Sequence, residues 1–167
     1  MSLDTIVVSS IMSSELITQG EDQNIVAACK VMNDNNVGSV VIVKSEDKGE
    51  LPIGIITERD IIRILGKPTP DLQKPSSNYM SKPIVTIQSS ASIKDAMQMM
   101  NSKGIRRLVV VDKNNKMAGV VTQKDIFKAI NKNRSLITSF TGENYPTEHR
   151  EVYERFTDHM FDLLPKV

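Results

Sequence analysis

The stretch MSSELITQGEDQNIVAACKVMNDNNVGSVVIV at residues 12–43 decides the fold, because the chain repeats it as MSKPIVTIQSSASIKDAMQMMNSKGIRRLVVV at residues 80–111. The two segments align at a constant offset of 68 residues. After a loop, GIITERDIIRIL at 54–65 aligns with GVVTQKDIFKAI at 119–130, at an offset of 65. One supersecondary unit rarely buries its own apolar face, so two facing copies are expected, with a natural ligand pocket at their seam.

Each copy predicts the same order of elements: strand, helix, strand, strand, helix. In the first repeat these lie at residues 16–18, 25–32, 40–43, 54–56 and 60–65. In the second repeat they lie at residues 84–87, 93–100, 108–111, 119–121 and 125–130. The first helix of each repeat is predicted from apolar residues spaced by three and four, and the second strand from an unbroken apolar run.

Local signals mark the ends of several elements. Ser92 followed by Asp95 predicts a helix cap. Gly104, and Asn36 at the matching place, predict left-handed helix ends. The polar segments 44–52 and 112–116 read as hairpin loops.

The repeats divide the chain into four parts: a first repeat with an N-terminal strand at 1–66, a linker at 67–78, a second repeat at 79–131 and a helical tail at 132–167. The linker is assigned from its three prolines and two serines. The predicted fold class is mixed α/β (α+β), two tandem β-α-β-β-α repeats with pseudo-two-fold symmetry and a C-terminal helical extension.

The composition is that of a globular chain with one sizeable core. It has 167 residues, 40% hydrophobic and 25% charged, with a net charge of +1 and no tryptophan. The sequence has neither a basic stripe nor a set of aromatic residues that could stack on bases, so it does not support nucleic-acid binding. Neither a signal segment nor a membrane span is found, so a cytoplasmic protein is expected. The single cysteine, Cys29, is expected to be a buried hydrophobe rather than a reactive thiol.

A second shared pattern carries the chemistry. Gly54–Asp60 and Gly119–Asp125 both read G-h-h-T-x-[RK]-D, where h is apolar. The Thr ends a strand and the Asp follows one helical turn later, so both side chains gather at a helix N-terminus, which suits a phosphate. An ionised Asp can also accept hydrogen bonds from the two hydroxyls of a ribose. The alternative is a capping box that only starts the helix, and duplication of the fold would duplicate its caps too.

Two tandem units that open with Met-Ser and close with G-h-h-T-x-x-D resemble a pair of CBS domains, the Bateman module. The stretch from Ile105 to Asp112, followed by Gly119–Asp125, is especially similar to the nucleotide-binding repeats of that family. The resemblance covers roughly residues 8–131. It implies that AMP, ADP, ATP or S-adenosylmethionine binds in clefts between the two repeats, as the ligand of an energy sensor or regulatory module.

The resemblance also implies roles for particular residues. Asp60 and Asp125 would hold ribose hydroxyls. The threonines and basic residues of the motif would approach ribose and phosphate: Thr57, Arg59, Thr122 and Lys124. Basic residues at the start of the second strand would contact phosphate: Arg106 and Arg107. The base pocket would be lined around the first strand of each repeat by Ile17, Thr18, Val85 and Thr86.

The two copies differ at one informative place. Where the second repeat has Arg106 and Arg107, the first has Gly38 and Ser39. The guanidinium group offers a planar fork for phosphate oxygens that glycine and serine cannot replace. Unequal sites are therefore expected, one of them rich in cations. The sequence does not tell which cleft the arginines face. The alternative is that Arg106 and Arg107 lie on a solvated rim and not in a ligand site.

The tail carries an amphipathic pattern at Glu148–Leu164. It is expected to pack on its own module or on a second copy, with a docking helix for a foreign partner as the alternative. The only histidines, His149 and His159, lack the one-turn spacing of a helical metal site, so no metal site is expected.

The functional hypothesis is a stand-alone adenine-nucleotide sensor that regulates another protein. The sequence contains no nucleophile-base pair and no cluster of metal ligands, so neither enzymatic activity nor a prosthetic group is expected. Family resemblance implies a homodimer in a disc-like assembly, and neither nucleic acid nor a membrane is an expected partner. The alternative is a structural or interaction scaffold with unoccupied clefts and a partner-docking tail.

Overall fold

The structure is a computed structural model that describes residues 4–46 and 49–132. The predicted tail helix and both histidines lie outside these residues. The first repeat forms β1 (Thr18–Gly20), α1 (Ile25–Asp34), β2 (Ser39–Glu46), β3 (Gly49–Thr57) and α2 (Glu58–Leu65). The second forms β4 (Thr86–Gln88), α3 (Ile93–Ser102), β5 (Arg107–Val111), β6 (Met117–Thr122) and α4 (Gln123–Lys132). Short 3-10 helices lie at Val8–Ser10 and Ser76–Asn78.

Each repeat builds one three-stranded sheet, in the order β1-β2-β3 or β4-β5-β6. The first strand of each sheet runs parallel to the second, and the second runs antiparallel to the third. The predicted element order is therefore confirmed. The hairpin loop expected at 44–52 is wrong in extent, because β2 continues to Glu46 and β3 starts at Gly49. Cross-strand pairing of these polar residues overrides their loop-like composition.

The contacts of the chain define two compact units whose limits differ from the predicted repeat boundaries. The first-repeat unit runs from Glu15 to Val85, and the second-repeat unit combines residues 4–14 with 86–132. The N-terminal segment thus packs on the second repeat. Residues of the predicted linker and the opening of the second repeat pack on the first. The boundaries assigned from the sequence describe where the sequence repeats begin and end, and they stay a prediction.

Equivalent backbone hydrogen bonds hold the two opening segments. The amide of Val8 donates to the carbonyl of Ala91 at 2.8 Å, and Ser13 pairs with Val120 through two 2.9 Å bonds. In the first-repeat unit, Ser76 donates to Gln23 at 2.7 Å, and Ser81 pairs with Ile55. The two 3-10 helices therefore correspond to each other at the offset of 68 found in the sequence.

The helices of the first-repeat unit cover one face of its sheet. The buried core combines three residues of α1, two alternate residues of β2, one residue of β3 and one of α2: Ile25, Ala28, Met32, Val40, Ile42, Ile56 and Ile64. In a strand, successive side chains point to opposite faces. Val40 and Ile42 therefore point to the helices, while Ser39 and Val41 point to the other face.

Several predicted helix ends are confirmed. Ser92 and Asp95 form a capping box. Asn36 and Gly104, which end the first helices of the repeats, have φ angles of 51° and 63°, in the left-handed region that these residues tolerate best. The helices α2 and α4 begin at Glu58 and Gln123, two residues before the predicted starts.

Cys29 is only partly buried, which corrects the expectation of a buried side chain. It packs at the edge of the core cluster. Burial nevertheless raises the pKa of the Cys29 thiol, with a smaller opposing effect of a backbone hydrogen bond. Less of the thiol is ionised at neutral pH, which keeps its nucleophilicity low.

A buried polar pair distinguishes the first-repeat unit. Gln19 is 4% exposed and Ser76 is 0% exposed, and the Gln19 amide nitrogen donates to the Ser76 hydroxyl at 2.8 Å. Among the residues that the structure describes, none donates a hydrogen bond to the Gln19 Oε1 atom. At the offset of 68, the second-repeat unit has Ile87 and Val8 at these positions, both buried.

This difference predicts non-additive effects on stability. Ser76→Val alone should lower the free energy of unfolding by about 1–3 kcal/mol, because the Gln19 amide loses a buried partner. Gln19→Ile with Ser76→Val should restore wild-type stability or exceed it, since the other unit packs the same apolar pair. Urea denaturation of the two single variants and the double variant measures the coupling. A double variant as unstable as the sum of the single variants would refute this explanation.

Candidate functional site

The sheet of each unit brings the predicted site residues to one end. In the first-repeat unit, β1 and β2 start toward this end and β3 finishes there. Thr18 is paired with Val41, two residues along β2 from Ser39, and its hydroxyl donates to the Glu50 carboxylate at 3.4 Å. Ser39 is directly paired with Thr57. Residues paired across antiparallel strands have side chains on the same sheet face, about 5 Å apart.

The second-repeat unit repeats this arrangement with a charged residue. Arg107 is directly paired with Thr122, the threonine of the motif. Thr86 starts β4 at the same end of the sheet. The structure thus places one of the two predicted arginines beside the motif of its own repeat, which the sequence did not determine.

Three predicted basic side chains are exposed: Arg59, Lys124 and Arg106. The backbone carbonyl of Arg106 accepts a 3.1 Å hydrogen bond from the amide of Gln123, so this residue connects β5 to the start of α4. Ile17 and Val85 are half-buried near the first strands. Their predicted contact with a base stays a prediction.

The motif forms a helix cap in both repeats. In the first, the Asp60 Oδ2 atom accepts from the Thr57 amide at 2.9 Å and from its hydroxyl at 2.7 Å, while Thr57 Oγ1 accepts from the Asp60 amide at 3.3 Å. In the second, Asp125 Oδ2 accepts from the Thr122 amide at 3.0 Å and from its hydroxyl at 2.6 Å. The capping alternative is therefore real at both positions, and it uses one oxygen of each carboxylate.

The second carboxylate oxygen distinguishes the two sites. Asp60 Oδ1 lies 3.5 Å from the Ser81 hydroxyl and 3.7 Å from the Arg63 guanidinium. Asp60 is also buried, with 8% exposure. In the described part of the chain, Asp125 Oδ1 forms no hydrogen bond, and the residue is half-buried. The Asp60 Oδ1 atom therefore has one long hydrogen bond and one long ion pair within its own unit, whereas Asp125 Oδ1 has no such contact in the described part of the chain.

Asp125 also borders an open cavity of about 620 Å³ within the second-repeat unit. This cavity separates the N-terminal segment from the flank of α4. Its lining combines apolar, hydroxyl and charged side chains: Thr5, Ile6, Val7, Ser10, Ile11, Asp125, Lys128, Ala129 and Lys132.

The sequence singled out Arg107 and Ser39 as a difference between the repeats, but not the residues that surround the two aspartates. Ser81 and Arg63 engage Asp60, and Lys128 stands at the position equivalent to Arg63. The alignment of the two repeats does show that arginine at position 63 corresponds to lysine at position 128, at the offset of 65. Their partners, however, become visible only in the folded units.

Within residues 4–46 and 49–132, no group of three or more metal-ligating side chains is found. No helix in this part of the chain is long and apolar enough to cross a membrane.

Comparison with known proteins assigns the fold to a family. The CBS domain family model matches residues 8–67 and 77–132. The chain belongs to the CBS domain family. This confirms the resemblance and the predicted fold class of tandem CBS repeats.

Curated relatives include other CBS proteins and enzymes. The CBS domain-containing protein YhcV of Bacillus subtilis is 32% identical over 142 residues, covering 85% of this chain and 98% of that protein. An uncharacterised protein of Methanopyrus kandleri is 35% identical over 122 residues, covering 72% of this chain and 61% of its own length. The inosine-5′-monophosphate dehydrogenase of Helicobacter pylori is 39% identical over 106 residues, covering 62% of this chain and 20% of the enzyme.

Solved structures share the CBS fold. The CBS domain pair of protein MJ0100, in complex with 5′-methylthioadenosine and S-adenosyl-L-methionine, is 25% identical with a TM-score of 0.66, covering 75% of this chain and 96% of that one. A CBS domain protein of Pyrobaculum aerophilum complexed with AMP is 24% identical with a TM-score of 0.69, covering 83% and 100%. Both of these solved CBS proteins are in complex with adenosine compounds.

Proposed function

We propose that this CBS protein is a regulatory module that binds an adenine nucleotide, AMP, ADP or ATP, and acts on a partner protein rather than as an enzyme. The observation that carries the proposal is the Asp125 carboxylate, which caps α4 with one oxygen and keeps the other available. An ionised carboxylate accepts hydrogen bonds from neighbouring hydroxyls, as in the cis-diol of ribose. The adenosine compounds bound by protein MJ0100 support this ligand class.

Arg107 supports a phosphorylated ligand. Its register with Thr122 puts a guanidinium group at the sheet end where the motif begins. Guanidinium binds phosphate oxygens through paired hydrogen bonds. In the first-repeat unit, Ser39 takes this place and the Asp60 carboxylate is already engaged. We therefore assign the stronger site to the second-repeat unit.

The regulatory role is supported by relatives in which a CBS segment is a small part of an enzyme. The matched segment makes up 20% of the Helicobacter pylori dehydrogenase. A homodimer and a cytoplasmic location belong to the same proposal.

A second candidate function is a protein-interaction scaffold. It is favoured by two large apolar side chains on α2, because Ile62 is 69% exposed and Leu65 is 54% exposed. They lie three residues apart and so share a helix face. A second copy of the chain or a partner protein would cover such a face.

Thermal unfolding separates the two candidates. A ligand that binds only the folded state at a hundred times its Kd adds about 2.7 kcal/mol, which corresponds to about 5–10 °C in Tm for a chain of this size. We expect such a shift with at least one of AMP, ADP and ATP. An unchanged Tm with these nucleotides, S-adenosylmethionine and NAD at millimolar concentration would favour the scaffold.

Arg107→Ser tests the phosphate assignment. It should weaken AMP and ATP binding by about tenfold or more, because a charge-assisted hydrogen bond is lost, while adenosine binding should stay unchanged. Calorimetric titrations of the three ligands measure this difference. Arg106→Ser is the matched control, since it removes the same charge one residue away. Equal losses for adenosine and AMP in Arg107→Ser would show that Arg107 does not contact phosphate.

A further inference from the structure

The cavity beside α4 in the second-repeat unit is large enough for a small molecule, at about 620 Å³. We propose that it is a second ligand site, which binds a small aromatic anion. The ring would lie against Ile11 and Ala129, and the negative group would lie near Lys128 and Lys132, all of which line the cavity.

The first-repeat unit contains an aromatic ring at the equivalent place. Ile11 corresponds to Tyr79 at the offset of 68, and Lys132 corresponds to Lys67 at the offset of 65. In the first-repeat unit, Lys67 Nζ lies 5.0 Å from the centre of the Tyr79 ring, within the range of a cation–π contact. The Tyr79 ring also packs against the core cluster. Ile11 and Lys132 border the cavity in the second-repeat unit. Their counterparts in the first-repeat unit, Tyr79 and Lys67, contact each other through the tyrosine ring.

The smaller side chain explains why the second-repeat unit has open space there. Isoleucine lacks the ring that tyrosine supplies, so the space beside Lys132 can be filled by the ring of a bound ligand. The Tyr79 arrangement shows which group this position accommodates: a planar ring with a lysine over its face.

The charges of the cavity favour an anion. In the first-repeat unit, Arg63 lies 3.7 Å from Asp60, and Lys67 lies over Tyr79. Their counterparts in the other unit, Lys128 and Lys132, form no ion pair with another described residue. Two lysines and one aspartate therefore leave the cavity with a positive excess.

This site differs from the proposed nucleotide site. Four residues of α4 line the cavity, Asp125, Lys128, Ala129 and Lys132, spaced along one flank of the helix. Arg107 and Thr122, which lie at the sheet end, are not part of its lining. The two sites share only the Asp125 side chain, and the aromatic-anion site does not depend on nucleotide binding.

Ile11→Tyr tests the proposal by placing in the cavity the ring that Tyr79 places in the other unit. The probe is the aromatic sulfonate 8-anilinonaphthalene-1-sulfonate, titrated by fluorescence with the full chain. We expect saturable binding to the wild type and a loss of at least about tenfold in affinity for Ile11→Tyr, because the ring occupies the apolar wall. Val26→Tyr is the matched control. It adds the same ring at a position that is 50% exposed on α1, and it should bind the probe like the wild type.

A second variant is needed in case Ile11→Tyr does not fold. Lys128→Gln with Lys132→Gln changes only exposed side chains, so the fold should persist, with an unchanged Tm. Its affinity for the probe should fall several-fold, and the salt dependence of binding should decrease. Non-saturable binding to the wild type, or equal affinity of the wild type and Ile11→Tyr, would overturn the proposal. Nucleotide titrations are a separate measurement, so either site can fail without the other.

Discussion

Asp125→Asn is expected to weaken AMP binding by about ten- to a hundredfold, which corresponds to the loss of one charged hydrogen-bond acceptor. The substitution keeps one carbonyl oxygen, which can still accept from the Thr122 amide and maintain the cap. The other oxygen becomes an NH₂ group, which cannot accept from a ribose hydroxyl. Calorimetric titration with AMP gives the affinity, and circular dichroism verifies the fold.

Asp60→Asn is the matched control. In this residue the second oxygen already faces Ser81 and Arg63, so its replacement should alter AMP affinity by less than about threefold. The substitution should instead lower stability, because the new NH₂ group faces the Arg63 guanidinium, which has only hydrogen-bond donors. If both variants lost the same AMP affinity, the assignment of unequal sites would be wrong.

Gly119→Ala is expected to cause the largest loss of stability, about 3 kcal/mol. An added Cβ would collide with the backbone carbonyl oxygen of Ser13 and would lie 2.9 Å from the Met12 sulfur. The Ser13 carbonyl cannot withdraw freely, because it accepts a 2.9 Å hydrogen bond from the amide of Val120. Chemical denaturation of the variant measures the loss.

Gly54→Ala provides the comparison in the other unit. There the added Cβ would collide with the sulfur of Met80 and would lie 2.7 Å from its Cγ atom. A methionine side chain is flexible and can move aside, so the loss should be nearer to 1 kcal/mol. Equal losses for the two glycines would contradict the role of the Ser13 carbonyl.

These glycines explain why each repeat carries both a Met-Ser opening and a glycine in its third strand. Met12 and Ser13 pack on Gly119 of the second repeat, and Met80 packs on Gly54 of the first. Each opening therefore packs on the strand of the other copy. The sequence displays both elements but not their pairing, because the two copies are alike and either could satisfy the same pattern.

Local features were predictable because they depend on few neighbouring residues. The cap at Ser92 and the left-handed ends at Asn36 and Gly104 follow from residue types within one helical turn. The difference between Asp60 and Asp125 could not be predicted in this way. It depends on Ser81, which lies 21 residues away from Asp60 in the chain.

The Thr-x-x-Asp pattern raised two alternatives, a helix cap or a ligand site. The cap is present at both positions and uses only the Oδ2 atom of each carboxylate, so it does not exclude the proposed ligand site. We propose that ligand binding depends on what the Oδ1 atom contacts. That property distinguishes two copies of a motif whose Thr and Asp are the same.

Asp125 is proposed to bind the ribose of an adenine nucleotide. A crystal structure of the protein grown with AMP tests this contact. We predict that the Asp125 carboxylate lies about 2.5–3.0 Å from a ribose hydroxyl oxygen, with the phosphate near Arg107. An ordered AMP bound elsewhere, with Asp125 contacting only Thr122, would contradict the claim.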